Sequence, residues 1–150
     1  MLPRDISEKL SRRGRLSVSA TIKGVDFVTT LQPDGQLSHW LRVEQAMLNR
    51  CKLKIDEWLT VEIATLEKEP EPALPSDLHD ALLNSPLAMT VWQQTTTIAR
   101  VDWIHWIESA KQAKTRIKRI EDACDMLASG KKRVCCFDPS GYYSKAFSAP

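Results

Sequence analysis

The segment Glu67-Lys68-Glu69-Pro70-Glu71-Pro72-Ala73-Leu74-Pro75 constrains the fold more than any other feature of the chain. Its prolines lack backbone donors and favour extended backbone, and its charges keep it solvated, so neither a helix nor a paired strand is expected to run through it. The hydrophobic period also changes across it. This predicts a β-rich module over residues 1–67, an acidic Pro-rich linker over 68–75, a helical module over 76–133 and an aromatic tail over 134–150.

Upstream, Leu16, Val18, Ala20 and Ile22 alternate with Ser17, Ser19 and Thr21, the period of a strand with one buried face. Gly24 permits a turn, and residues 25–31 are β-branched and aromatic. Pro33-Asp34-Gly35 then turns the chain into a short strand from Trp40 to Val43. Residues 44–50 favour a short helix, and Trp58, Val61 and Ile63 return to a strand. Four or five short strands gain by closing their edges, which predicts a compact barrel or half-barrel.

Downstream, Ser76 is the expected N-cap of a helix ending near Asn84, and Pro86 fits the first turn of a second helix through Trp92. Thr95 or Thr96 caps a third, with Trp103, Trp106, Ile107 and Ala110 on one stripe. In a fourth, Ala113, Ile117, Ile120, Cys124 and Leu127 keep helical spacing up to a stop at Gly130. The predicted class is α+β, a small sheet module followed by a helical bundle, with the tail of Tyr142, Tyr143 and Phe147 packed on the bundle or on a partner subunit.

Charge is uneven although its sum is small. Residues 54–80 hold eight acids and two bases, and residues 100–133 hold nine bases and five acids, within a net charge of +2. A strongly basic nucleic-acid binder is therefore excluded, and any electrostatic function rests on local clustering. Residues 1–15 are charged and lack the apolar run of a secretory signal, and no run of about 18 apolar residues occurs, so neither export nor a membrane span is expected. Cys51, Cys124, Cys135 and Cys136 fit no disulfide scaffold, which suits reduced thiols in a cytoplasm.

Three segments carry a family resemblance: Trp106-Ile107-Glu108-Ser109-Ala110-Lys111, Thr115-Arg116-Ile117-Lys118-Arg119-Ile120 and Met126-Leu127-Ala128-Ser129-Gly130-Lys131. They resemble the helical signature of the YdeI/OmpD-associated, or bacteriocin-protection, proteins. The region from Gly24 through Leu31 to Ile63 resembles the domain DUF1905. The resemblance implies a double-split β-barrel of AbrB-like shape ahead of the helical module, and a role in stress or bacteriocin protection. The chain departs from the family in two places: Gln112-Ala113-Lys114-Thr115 lacks the proline common before the Thr-Arg pair, and Asp56-Glu57 replaces a common Gly-Asp turn.

No nucleophile elbow, Gly-rich phosphate loop or paired metal-binding histidines occur, and His39, His79 and His105 are scattered among different elements. No catalytic residue, metal site or cofactor is expected. The strongest candidate is a basic helix in which Lys111, Lys114 and Lys118 fall at i, i+3 and i+7, with Arg116 and Arg119 on flanking rows. Such a face attracts phosphates, whether of nucleic acid or of another anionic partner, and does so weakly and with strong salt dependence. Against this stands the reading of a solvated helix face offset by Glu121 and Asp122. Trp103 and Trp106 are expected in the core. Adjacent Cys135 and Cys136 are a redox candidate, because Lys131, Lys132 and Arg133 would favour the thiolate. The expected function is that of a non-enzymatic binding or regulatory protein, capable of forming a homodimer. The alternative is a small-ligand binder or enzyme with a cleft between barrel and bundle.

Overall fold

In the computed structural model, which describes residues 1–150, the chain forms two units: Met1–Glu69 with Ser140–Pro150, and Pro70–Pro139. They hold four strands and six helices, an α+β protein. In the first unit, β1 (Leu16–Ile22) and β2 (Val25–Pro33) form a hairpin with Leu16 opposite Leu31 and Ile22 opposite Val25. The two residues between them, Lys23 and Gly24, are both left-handed (φ 48° and 77°), the backbone whose twist matches the flanking strands.

Strand β3 (His39–Leu41) pairs with β2, and β4 (Val61–Thr65) pairs with β1, giving an antiparallel sheet of order β3-β2-β1-β4. Leu16, Val18, Ala20 and Ile22 are all buried, as their alternation predicts. Leu16, Val18 and Leu31 form a core against which Leu2, Leu10, Leu41 and Ile63 pack.

Several boundaries differ from expectation. β3 ends at Leu41, and β4 starts at Val61 and so excludes Trp58. Lys52 and Asp56 interrupt the intervening segment with left-handed backbone, φ 52° and 64°. Asp56 thus adopts a left-handed conformation that Asp tolerates better than most residues. Helix α1 (Arg4–Ser7) lies where no element was expected, and α2 (Gln45–Arg50) matches the predicted short helix.

The proline-rich segment is anchored rather than merely solvated. Glu69 accepts from the Ser17 N–H at 3.0 and 3.1 Å, just beyond the point where β4's pairing with β1 ends at Val18. The aromatic tail is also placed differently from expectation, because residues Ser140–Pro150 belong to the sheet unit and not to the helices. Gly35 and Gly141 explain this, since their missing side chains leave room for Phe147 to lie against their backbone.

The second unit contains α3 (Ser76–Leu83), α4 (Pro86–Gln93), α5 (Thr97–Glu108) and α6 (Ala113–Ala128). Pro75, not Ser76, is the N-cap of α3, and Ser76 is its first helical residue. The cap of α5 is Thr96, whose hydroxyl accepts from the Ala99 N–H at 3.1 Å. Gly130 (φ 91°) stops α6 as predicted. Its N–H donates to the Leu127 carbonyl at 2.8 Å and the Lys131 N–H to that of Met126 at 3.0 Å, the paired bonds of a Schellman motif.

Leu78, Leu82, Trp103, Ile107, Ile120 and Leu127 share one apolar core. Two stripe assignments change. Ala110 lies beyond the end of α5, and Ile117 is 59% exposed because α6 buries the row Ile120, Ala123 and Leu127.

Candidate functional site

The basic row is only partly available. Lys111 precedes Gln112, the N-cap of α6, so the i, i+3, i+7 row begins outside the helix. Arg116 donates through Nε and Nη2 to Asp77 at 2.7 and 3.0 Å, a fork that ties α6 to α3. That hydrogen bonding raises the Arg116 pKa and holds the Asp77 carboxyl below its ordinary range. Lys118 pairs with Asp122 one turn on, and this bond raises its pKa. Arg119 donates to the Trp106 carbonyl and, at 2.8 Å, to the Ser109 hydroxyl, and its guanidinium lies 5.4 Å from the Trp106 ring centroid. Arg116 and Arg119 therefore hold helices together. Lys111 and Lys114 are the exposed cations of the row with no intramolecular partner.

Trp103 is fully buried, as expected, and its indole N–H donates to the Lys132 carbonyl at 3.3 Å. Trp106 packs edge-on to it, with ring centroids 6.2 Å apart. This arrangement gives Trp103 no face on which a base could stack.

Cys135 and Cys136 are both exposed, with their sulfurs 3.2 Å apart. The hydrogen bond between the two sulfurs, which the Cys136 thiol makes as donor, and then the charge of Cys135 push the Cys136 pKa up, against a smaller lowering by Lys131. Lys131 favours the Cys136 thiolate, as the spacing suggests, but the sulfur partner in contact outweighs that solvated ammonium. Cys51 is buried and Cys124 half-buried, and burial raises the Cys124 pKa.

The histidines are not brought together. His79 is half-exposed beside Asp80, and His105 is buried edge-on to Phe137 at 5.4 Å. His39 is buried in the sheet unit. Its Nε2 is 3.1 Å from the Gly14 carbonyl, which can only accept, so Nε2 carries the proton and Nδ1 accepts from the Ser7 hydroxyl at 2.6 Å. Both side chains are 0% exposed, which gives a substrate no access and makes the pair a pin between the N-terminal segment and β3.

Burial is the largest influence on His39 and lowers its pKa below 6.5, against weaker opposing effects of the Gly14 bond and Asp34. The fold therefore favours the neutral ring. Its contribution to stability is complete above the unfolded value and is lost as pH falls through the folded one. Denaturant titrations of wild type should show the sheet unit weakening from neutrality toward about pH 5, and His39→Gln should flatten that slope. Ser7→Ala, which strands Nδ1, should cost about 1–3 kcal/mol at neutral pH in the same titrations.

An apolar groove of about 640 Å³ also lies in the sheet unit. Strands β3 and β4 are opposite edges of the sheet, yet Leu41 of one and Val61 and Ile63 of the other line the same groove, because the sheet curls. Leu2 and Ile6 close one side. Trp58 stands at the groove with its side chain 100% exposed. The one lining residue with a charged side chain is Glu57, whose carboxyl accepts from the Lys54 N–H and the Lys23 ammonium, each at 3.2 Å. Those contacts, the backbone one foremost, hold its pKa below the ordinary range.

The sequence reading assigned Trp58 to a strand and so missed this groove. The signal available was a tryptophan directly after Asp56-Glu57, a turn-like pair that argues against a buried aromatic. Arg100 was missed too. It donates to Glu71 at 3.0 Å and to the Thr95 hydroxyl at 3.1 Å just past the end of α4, across a separation of 29 residues to Glu71 that no local pattern encodes. No helix is long and apolar enough to cross a membrane, and no group of three or more His, Cys, Asp or Glu side chains is arranged to hold a metal ion.

Residues 71–130 match the family described as "Bacteriocin-protection, YdeI or OmpD-Associated". Residues 1–63 match the "Domain of unknown function (DUF1905)". No curated protein and no solved structure matches the chain.

Proposed function

We propose that this chain, whose residues 1–63 match the DUF1905 model and residues 71–130 the bacteriocin-protection, YdeI or OmpD-associated model, is a non-enzymatic binding protein whose sheet unit takes an extended apolar peptide segment in its groove. The observation that carries this reading is the fully exposed Trp58 beside a groove lined by both edge strands. On β3 the His39 carbonyl already accepts from the Leu2 N–H at 2.9 Å, so the added strand would pair with the outer edge of β4 (Val61–Thr65), and its alternate side chains would enter the groove. An exposed tryptophan next to an apolar pocket has the chemistry of an interface anchor. The family's protection label is consistent with capture of an apolar peptide. The curl of the sheet likewise supports, as part of the proposal, the AbrB-like split barrel, with the groove as its open side.

A second reading, an anionic partner such as nucleic acid on α6, is favoured by exposed Lys111 and Lys114. Two unpaired cations give it less charge than the full row of five would supply.

One polarisation titration separates the two, using a labelled decapeptide of alternating valine and threonine and a labelled DNA duplex. The groove reading expects peptide binding that is insensitive to salt and weakened about 30-fold by Trp58→Ala, the effect of losing an anchor worth about 2 kcal/mol. Peptide affinity unchanged in Trp58→Ala would sink it. Duplex binding that fades with salt and disappears in Lys111→Glu, Lys114→Glu would put the anionic partner in its place.

A further inference from the structure

The cysteine pair carries a separate inference, independent of the groove. Cys135 and Cys136 lie in the segment that follows α6, and that segment is anchored on both sides of the pair. Lys132 accepts from Trp103, Val134 packs against the helical core, and Phe137 lies on His105. The two thiols are thus presented to solvent from a fixed segment, with left-handed backbone at Cys136 (φ 57°) and sulfurs 3.2 Å apart.

We propose that Cys135 and Cys136 form a chelating site for a soft trivalent metalloid of the arsenite class. Consecutive Cα atoms are about 3.8 Å apart, short of the roughly 4.4–6.8 Å that a relaxed disulfide spans. Direct closure to a disulfide must draw the sulfurs together against that constraint. A single atom inserted between them leaves the sulfurs where they stand. Sulfurs 3.2 Å apart subtend about 90° at a centre about 2.3 Å from each, a typical metal–thiolate bond length. Tetrahedral zinc needs a wider angle and two further ligands, whereas a pyramidal trivalent metalloid has bond angles close to a right angle and completes its shell with one hydroxyl. Thiolates also select soft centres.

The reaction balances without an oxidant. As(OH)₃ and two thiols form two As–S bonds and break two As–O bonds. The two displaced hydroxyls leave as two waters with the thiol protons, and arsenic stays trivalent.

The test incubates the reduced full-length protein with arsenite, and separately with zinc, and follows intact mass and free thiols. One arsenic per chain with two thiols consumed is expected. Cys135→Ser and Cys136→Ser should each weaken capture about 100-fold through loss of chelation, while Cys51→Ser and Cys124→Ser should not change it. Capture retained in either of the first two variants, absence of capture, or zinc held as tightly as arsenite would overturn the assignment. So would ready closure of the pair to a disulfide in a mild glutathione buffer, since it would show that the backbone does not resist the direct bond.

Discussion

Trp103→Ala should destabilise the helical unit by about 3–5 kcal/mol, the range for removing a large aromatic from a packed core. Trp103 is 0% exposed and shares one buried cluster with Leu78, Leu82, Ile107 and Leu127, residues of elements far apart in sequence. The substitution also removes the donor to the Lys132 carbonyl, which fixes the segment after α6. For a unit of this size the loss corresponds to more than about 12 °C in melting temperature. Calorimetry gives the shift, and hydrogen exchange over α3–α6 assigns it to this unit. Trp106→Ala is the comparison, because that ring is only half-buried and should cost less. Equal melting of the two variants would show that Trp103 is not the centre of the core.

Gly35→Val should release the C-terminal tail from the sheet unit. Gly35 is left-handed (φ 74°), and a Cβ there would collide with the Phe147 carbonyl oxygen, a backbone atom that cannot swing aside. The left-handed conformation costs a branched residue about 1–2 kcal/mol, and lost Phe147 burial brings the total to about 2–4 kcal/mol. Gly24 provides the control. Its φ is similar (77°), but no atom lies within 4 Å of the place a Cβ would take, so Gly24→Val should cost the conformational part alone and leave the tail bound. Limited proteolysis of residues 140–150, alongside melting of both variants, distinguishes tail release from simple turn strain. A protected tail in Gly35→Val would contradict the assigned packing.

Local patterns were the legible part of this chain. The alternation from Leu16 to Ile22 gave β1 and its buried face, because a pleated strand turns successive side chains to opposite sides whatever it packs on. Pro86, Thr96 and Gly130 marked helix ends, because those residues meet conformational or capping demands that act within one turn. The family signature was legible from three short segments, and matches to both families cover most of the chain. The basic row was legible as a spacing, but its availability was not. Asp77 lies 39 residues from Arg116, and the Trp106 carbonyl 13 residues from Arg119. Helical periodicity predicts which residues share a face and says nothing of what lies opposite it.

The sequence by itself determined the change from strand to helix at the proline-rich segment, the identity of most elements and the likeness to two family models. These depend on backbone sterics and side-chain periodicity over a few residues. Only the tertiary structure decided that the tail packs with the sheet, that Ser7 and His39 form a sealed pin, that Arg116 and Arg119 serve the fold, and that β3 and β4 line one groove beside an exposed Trp58. Each of these depends on contacts between residues distant in the chain. Such contacts are selected by shape, burial and hydrogen-bond satisfaction in the folded molecule, where a charge or a thiol is assigned its role by what it meets.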